Sequence, residues 1–149
     1  MQSTLRFLTA AVLAAAVTVP AVAVAQEDYI KHRKTLMQAN GSVMGLVGKM
    51  AQGTVEFDAA AATGALEQLV QTGHVYPAFF PAGSGEGDTR AAAAIFDDPE
   101  GFQAASMKLS TDAEAAVAAV QSDGLAGLQA SLQAVGGNCQ ACHQAYRSR

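Results

Sequence analysis

Close to the C-terminus the chain reads Cys139-Gln140-Ala141-Cys142-His143, with only Gln144 to Arg149 after it. Cys-x-x-Cys-His is the attachment motif for c-type haem. Two thiols add to the two vinyl groups of the porphyrin, and the adjoining imidazole binds the iron. The spacing has a physical reason. Residues three and four apart on a helix share one face, so Cys139, Cys142 and His143 can meet one flat ligand. The chain has 2 cysteines, both in the motif, which leaves no thiol for a separate disulfide. Three other readings compete: a lone disulfide, a thioredoxin-like redox pair and a zinc half-site. A redox pair calls for a βαβ setting, which the surrounding pattern lacks. A structural zinc ion needs about four ligands, and only His32 and His74 remain as nitrogen donors. The motif predicts one covalent haem c per chain, anchored by Cys139 and Cys142 with His143 on the iron.

Upstream of the motif the regular stretches of the pattern are helical. Leu125, Leu128, Leu132 and Val135 follow a three-four spacing, and Gly136-Gly137 is expected to loosen that helix before it resumes through Tyr146. Ser122-Asp123-Gly124 reads as a turn. Asp98-Pro99-Glu100 reads as N-cap, N1 proline and acidic first turn. The helix it opens runs to about Gln121, with Phe102, Met107, Leu109, Ala113, Val117 and Val120 as expected core. Asp58 is the expected N-cap of a helix from Ala59 to about Thr72, its apolar face carrying Ala62, Leu66, Leu69 and Val70. Gly73 is expected to end that helix in the left-handed conformation. Between His74 and Arg90 lie Pro77, Pro81, Gly83, Gly85 and Gly87, the one long loop. Its aromatic start, Tyr76, Phe79 and Phe80, is expected to tuck under the helices.

The first helix is expected from about Glu27 to Met50. Ile30, Met37, Met44 and Ala51 recur every seven residues, a bundle-type stripe. Gly41, Gly45 and Gly48 each cost about 1 kcal/mol of helix propensity; the cluster implies close approach of a backbone or a flat ligand, or else a kink. Four such helices with one longer connection predict an all-α, antiparallel four-helix bundle.

Ahead of this domain, Met1 to Arg6 and the apolar run from Phe7 to Val24 have the layout of a secretory signal, with Ala23-Val24-Ala25 as cleavage site. Thr18 and Pro20 interrupt the run, which argues against a membrane anchor. Residues 1–25 are expected to be removed after Ala25, leaving residues 26–149 as one domain with no membrane span. Covalent haem attachment in bacteria happens outside the cytoplasm, so the expected location is the periplasm. Cleavage would remove Arg6 and no acidic residue, making the mature chain one unit more negative than the −4 of the whole. That balance disfavours nucleic acid and anionic membranes as partners. Trp is absent and aromatic residues are 6%, while alanine is abundant, which favours helix. No organised acid, base or nucleophile set points to an enzyme.

With so little chain after His143, the opposite face of the haem is expected to be covered by an earlier helix. Arg33 and Met37 lie four apart on one face of the first helix. A cation for a propionate and a group over the iron can therefore arise together. Met37 reads either as an iron ligand or as a core methionine filling space; Arg33 reads either as a propionate partner or as a solvated arginine. Met44, one heptad on, is the weaker candidate for the iron and is expected to pack between helices. Arg147 is expected on the same helical face as His143, or as a surface residue favoured by the helix dipole. His32 and His74 are assigned no ligand role.

The C-terminal Cys-x-x-Cys-His followed by Tyr146-Arg147, with Arg33-x-x-x-Met37 early in the domain, resembles cytochrome c′ and its low-spin relatives of the cytochrome c-556 type. The segment Phe80-Pro81-Ala82-Gly83-Ser84-Gly85-Glu86-Gly87-Asp88-Thr89-Arg90 resembles the family's loop before the third helix. The resemblance implies a haem c near one end of a bundle that is often a homodimer. It implies Cys139 and Cys142 as thioether anchors and His143 as proximal ligand, and places Arg33 and Lys34 near a propionate. Thr89 and Arg90 would touch the haem edge through the loop. Two functions are then open: an electron carrier serving a redox partner protein, or a five-coordinate haem protein binding nitric oxide or carbon monoxide. Met37 separates them.

Overall fold

The computed structural model describes residues 21–149, with side chains from Asp28 onward. The expected export signal over residues 1–25 lies outside the residues described with side chains. The chain forms α1 (Ala21–Ala51), α2 (Ala59–Val75), a 3₁₀ turn (Tyr76–Phe79), a short α3 (Ala94–Asp97), α4 (Pro99–Asp123) and α5 (Leu125–Tyr146). The four long helices form the expected antiparallel bundle. α1 and α4 sit diagonally, each packing on both α2 and α5. Among the described residues no helix is long and apolar enough to cross a membrane.

The two expected N-caps are present. Asp58 Oδ1 accepts the Ala61 N–H at 2.9 Å, and Asp98 Oδ1 accepts that of Gly101 at 3.0 Å. Each satisfies an amide that the first helical turn leaves unpaired. The core is built from Val43, Val47 and Met50 of α1, Leu66 and Leu69 of α2, and Ala113, Val120, Leu128 and Val135 of α4 and α5.

Several expectations are corrected. Gly73 does not end α2 in a left-handed conformation; the helix runs on to Val75. A Cβ at Gly73 would stand 2.7 Å from Ser106 O and 2.8 Å from Ser110 N, so this glycine lets α2 press against the α4 backbone. The contact is polar: Ser106 Oγ donates to Gly73 O at 2.8 Å and Ser110 Oγ to Val70 O at 2.7 Å. These serines hold the core positions of α4, which leaves Met107, expected inside, exposed. The stripe through Met37 and Met44 is half-buried rather than central, because it faces a cavity. A Cβ at Gly41, Gly45 or Gly48 would meet nothing, so no neighbouring backbone approaches there. Gly136-Gly137 does not interrupt α5, which is continuous through Tyr146. The sharp turn into α5 uses Gly124 at φ 58°, a region open to glycine. The long connection also contains α3, which the sequence pattern does not signal.

Candidate haem site

α1 and α5 both line a cavity of about 590 Å³. That volume lies within the range of about 300–1,000 Å³ typical of small-molecule and cofactor pockets. From α1 the wall is Ile30, Arg33, Met37, Asn40, Gly41 and Met44, one face at three-four spacing. From α5 it is Asn138, Cys139, Cys142, His143 and Tyr146. Lys34, Thr89, Arg90 and Arg147 also line it. All nine residues singled out in the sequence thus meet around one space. His32 and His74 do not: His32 is exposed and stacks on Phe79 at 5.5 Å, and His74 lies 3.7 Å from Glu114.

The α5 donors suit covalent haem rather than thiol redox chemistry. Burial pushes both thiols above their usual pKa, the opposite of the activated thiolate that a redox cysteine needs. Burial, and after it the Arg147 guanidinium, holds the His143 imidazole below its usual range. A neutral imidazole is the form that binds a metal. Among the described residues no group of three or more His, Cys, Asp or Glu is placed to close on a free ion, so the zinc reading lacks its donors. Two thiols and a neutral imidazole on one wall of a largely apolar space fit a haem c.

α5 is fixed at the motif by a tie absent from the sequence reading. Asn138, buried beside Cys139, donates from Nδ2 to the Asp112 carboxylate on α4, which also accepts Lys108 Nζ at 2.8 Å. The Lys108 hydrogen bond is the main reason the Asp112 carboxyl sits below the usual range. Beneath the cavity, Phe102 stands edge-on to Phe80 (4.9 Å between centroids) and to Tyr146 (5.2 Å). Burial pushes the Tyr76 hydroxyl up to about 12, so that hydroxyl stays protonated.

Arg33 is buried, which removes the solvated alternative. Its guanidinium ties down the loop: Nε donates to Phe79 O at 2.7 Å, Nη1 to Ser84 O at 2.9 Å, and Nη2 to Ser84 Oγ. It also lies 4.0 Å above the Phe80 ring. Three of its five N–H directions are used, leaving one on each terminal nitrogen. Lys34 pairs with Asp88 at 2.6 Å on the surface. Arg147 departs from expectation: it is extended rather than helical and bridges Ala91 in antiparallel fashion. Ala92 N–H to Tyr146 O (3.1 Å) and Ser148 N–H to Arg90 O (2.9 Å) clip the loop to the C-terminus. Thr89 Oγ1 accepts the Ala91 N–H at 3.2 Å. Sequence reasoning also missed Asn40, whose Oδ1 accepts Thr72 Oγ1 at 3.0 Å, because its partner is 32 residues away.

The family model described as Cytochrome C' matches residues 28–147. A cytochrome c-556 from Agrobacterium fabrum is 35% identical over 143 residues, covering 96% of this chain and 95% of that one. A cytochrome c' from Rhodopseudomonas palustris is 34% identical over 128 residues, 85% of this chain and 86% of the relative. The solved cytochrome c' of Rhodopseudomonas palustris aligns with a TM-score of 0.76 at 32% identity, over 82% of this chain and 97% of that one. A nitric oxide complex of a cytochrome c prime mutant from Alcaligenes xylosoxidans aligns at 0.74 with 27% identity, over 83% and 97%. Four helices, a C-terminal haem motif facing a cavity under the first helix, and these likenesses over nearly the whole domain agree. The chain belongs to the cytochrome c′ family, whose members carry one covalently bound haem c per chain.

Proposed function

We propose that this protein is a periplasmic electron carrier, not an enzyme, with its haem c bound between His143 and Met37. Cys139 and Cys142 form the thioethers, and residues 1–25 are the export signal, cleaved after Ala25. The observation that carries the reading is the placement of Met37 on α1 and His143 on α5, lining one mostly apolar cavity. Haem iron supplies a one-electron couple whose potential follows its axial ligands and burial. A thioether favours the ferrous state and so raises the potential. The two remaining N–H directions of Arg33 are available to a propionate, with Lys34, Thr89, Arg90 and Arg147 at the haem edge. A redox partner would dock at that edge.

Gas binding is the second reading, favoured by the nitric oxide complex of the similar Alcaligenes xylosoxidans protein. There Met37 would pack over an open iron position and admit a diatomic ligand. Met37→Ala separates the two. Under the first reading, the ferric protein is low-spin and the variant becomes high-spin, with a lower reduction potential. An unchanged ferric spectrum would remove Met37 from the ligand set and favour the gas-binding reading. The protein is further proposed to be a homodimer through the outer face of α1 and α2.

A further inference from the structure

We infer that Asn40 is a hydrogen-bond donor to the Met37 sulfur, aimed by Thr72, and that it raises the reduction potential of the haem. The inference rests on the assignment of Met37 as iron ligand made above.

Asn40 is 7% exposed and lines the cavity three residues after Met37. Residues so spaced on a helix are neighbours, with about 5–6 Å between their Cβ atoms. A carboxamide has an acceptor oxygen and two N–H donors. Thr72 is 2% exposed; its single hydroxyl proton, for which Gln68 O at 3.0 Å is the competing acceptor, is shared with the Asn40 oxygen at 3.0 Å. With Oδ1 fixed against α2, Nδ2 points away from Thr72. Every fully enclosed side-chain nitrogen or oxygen among the described residues has a hydrogen-bond partner, and Thr72 is the partner the structure gives Asn40. Its nitrogen therefore keeps open surface, and for a residue this buried that surface belongs to the cavity.

An apolar side chain would fill the same space without presenting an N–H to the cavity. A donor held here is useful only if an acceptor arrives. Two α1 thioethers that line the cavity lie within one turn of Asn40, Met37 and Met44, each a weak acceptor; Met37 is the one assigned to the iron. A sulfur bound to iron through one lone pair keeps a second, which can take the Asn40 N–H. Donation to that pair would draw electron density from the sulfur and so disfavour the ferric state, an effect that apolar surroundings strengthen.

The test is redox titration of the haem-loaded full-length protein and its variants, with the ferric absorption spectrum recorded alongside. Asn40→Leu should keep the charge-transfer absorption of methionine-ligated ferric haem while shifting the potential negative. Thr72→Val, which leaves Asn40 present but unaimed, should shift it the same way by less, and Thr72→Ser should not shift it. An unchanged potential in Asn40→Leu with the methionine absorption intact overturns the inference and leaves the Met37 assignment standing. If Asn40→Leu yields no holoprotein, Thr72→Val decides, and no shift there overturns it. Absence of the methionine absorption in the unaltered protein overturns the ligand assignment itself, and this inference with it.

Discussion

Asp112 accepts hydrogen bonds from a lysine on its own helix and an asparagine on the next, so its ionised form is favoured by folding. Its side chain is 19% exposed, well short of the solvation a surface pair enjoys. The Lys108 hydrogen bond lowers its pKa most, with the Asn138 amide adding to it. A carboxylate depressed on folding stabilises the native state above its unfolded pKa of about 3.9, and that contribution is lost as pH falls through the folded value. Asp112→Asn should therefore lower the denaturation midpoint of the holoprotein by a constant amount at pH 5 to 7. The gap to the unaltered protein should close below about pH 4. A gap independent of pH would mean that the side chain matters for its shape alone. Arg33 follows a different logic. It is always charged, and its bonds to Phe79 and Ser84 are charge-assisted, each worth about 1.5–3 kcal/mol. Neither role was visible in the sequence, since the Arg33–Ser84 and Asp112–Asn138 partners lie 51 and 26 residues apart.

At the scale of the helices, Gly73 decides how closely α2 and α4 approach. Replacing a mid-helix glycine with alanine ordinarily gains about 1 kcal/mol of propensity. Here the added methyl meets backbone atoms of Ser106 and Ser110 below 3.0 Å, and backbone cannot swing aside. Overpacking of this kind costs about 1–3 kcal/mol, so Gly73→Ala should be destabilising in thermal unfolding. Gly45→Ala, where the methyl meets nothing, should be stabilising. Equal effects of the two would show that helix contact is not what Gly73 provides. The same contact explains what the sequence could and could not reveal. Asp58 and Asp98-Pro99 were legible because capping is local chemistry, written within four residues. Gly73 was misread because whether a glycine ends a helix or admits a neighbour depends on a helix far along the chain. Met107 was misread because apolar periodicity counts methionine as core and serine as surface, and the serine hydroxyls bond to α2 carbonyls instead. The haem motif was legible because covalent attachment needs its three residues nearly contiguous; the Asn40–Thr72 pair was not, because only folding joins α1 to α2.

At the scale of the whole bundle, the outer face of α1 and α2 offers a surface for a second copy. Between α1 and α2 a shallow, mostly apolar groove is lined by Ala39, Ser42, Val43, Leu46, Ala61 and Ala65. Small residues at helical spacing leave room for a second helix to approach, and Leu46, 38% exposed, is the group such a helix would cover. An isologous pair fits: each copy offers the same knob and groove, and two-fold symmetry closes the contact on itself. This face is separate from the haem cavity, which α1 lines with residues on another side of the helix. Dimer formation and haem ligation can therefore be broken independently. Leu46→Glu places a charge where an apolar contact would desolvate it. In sedimentation velocity the unaltered holoprotein should run as a dimer and Leu46→Glu as a monomer, with an identical ferric spectrum. A variant that stays dimeric would move the interface elsewhere on the bundle. A changed spectrum would show that pairing of the two copies bears on the haem cavity after all.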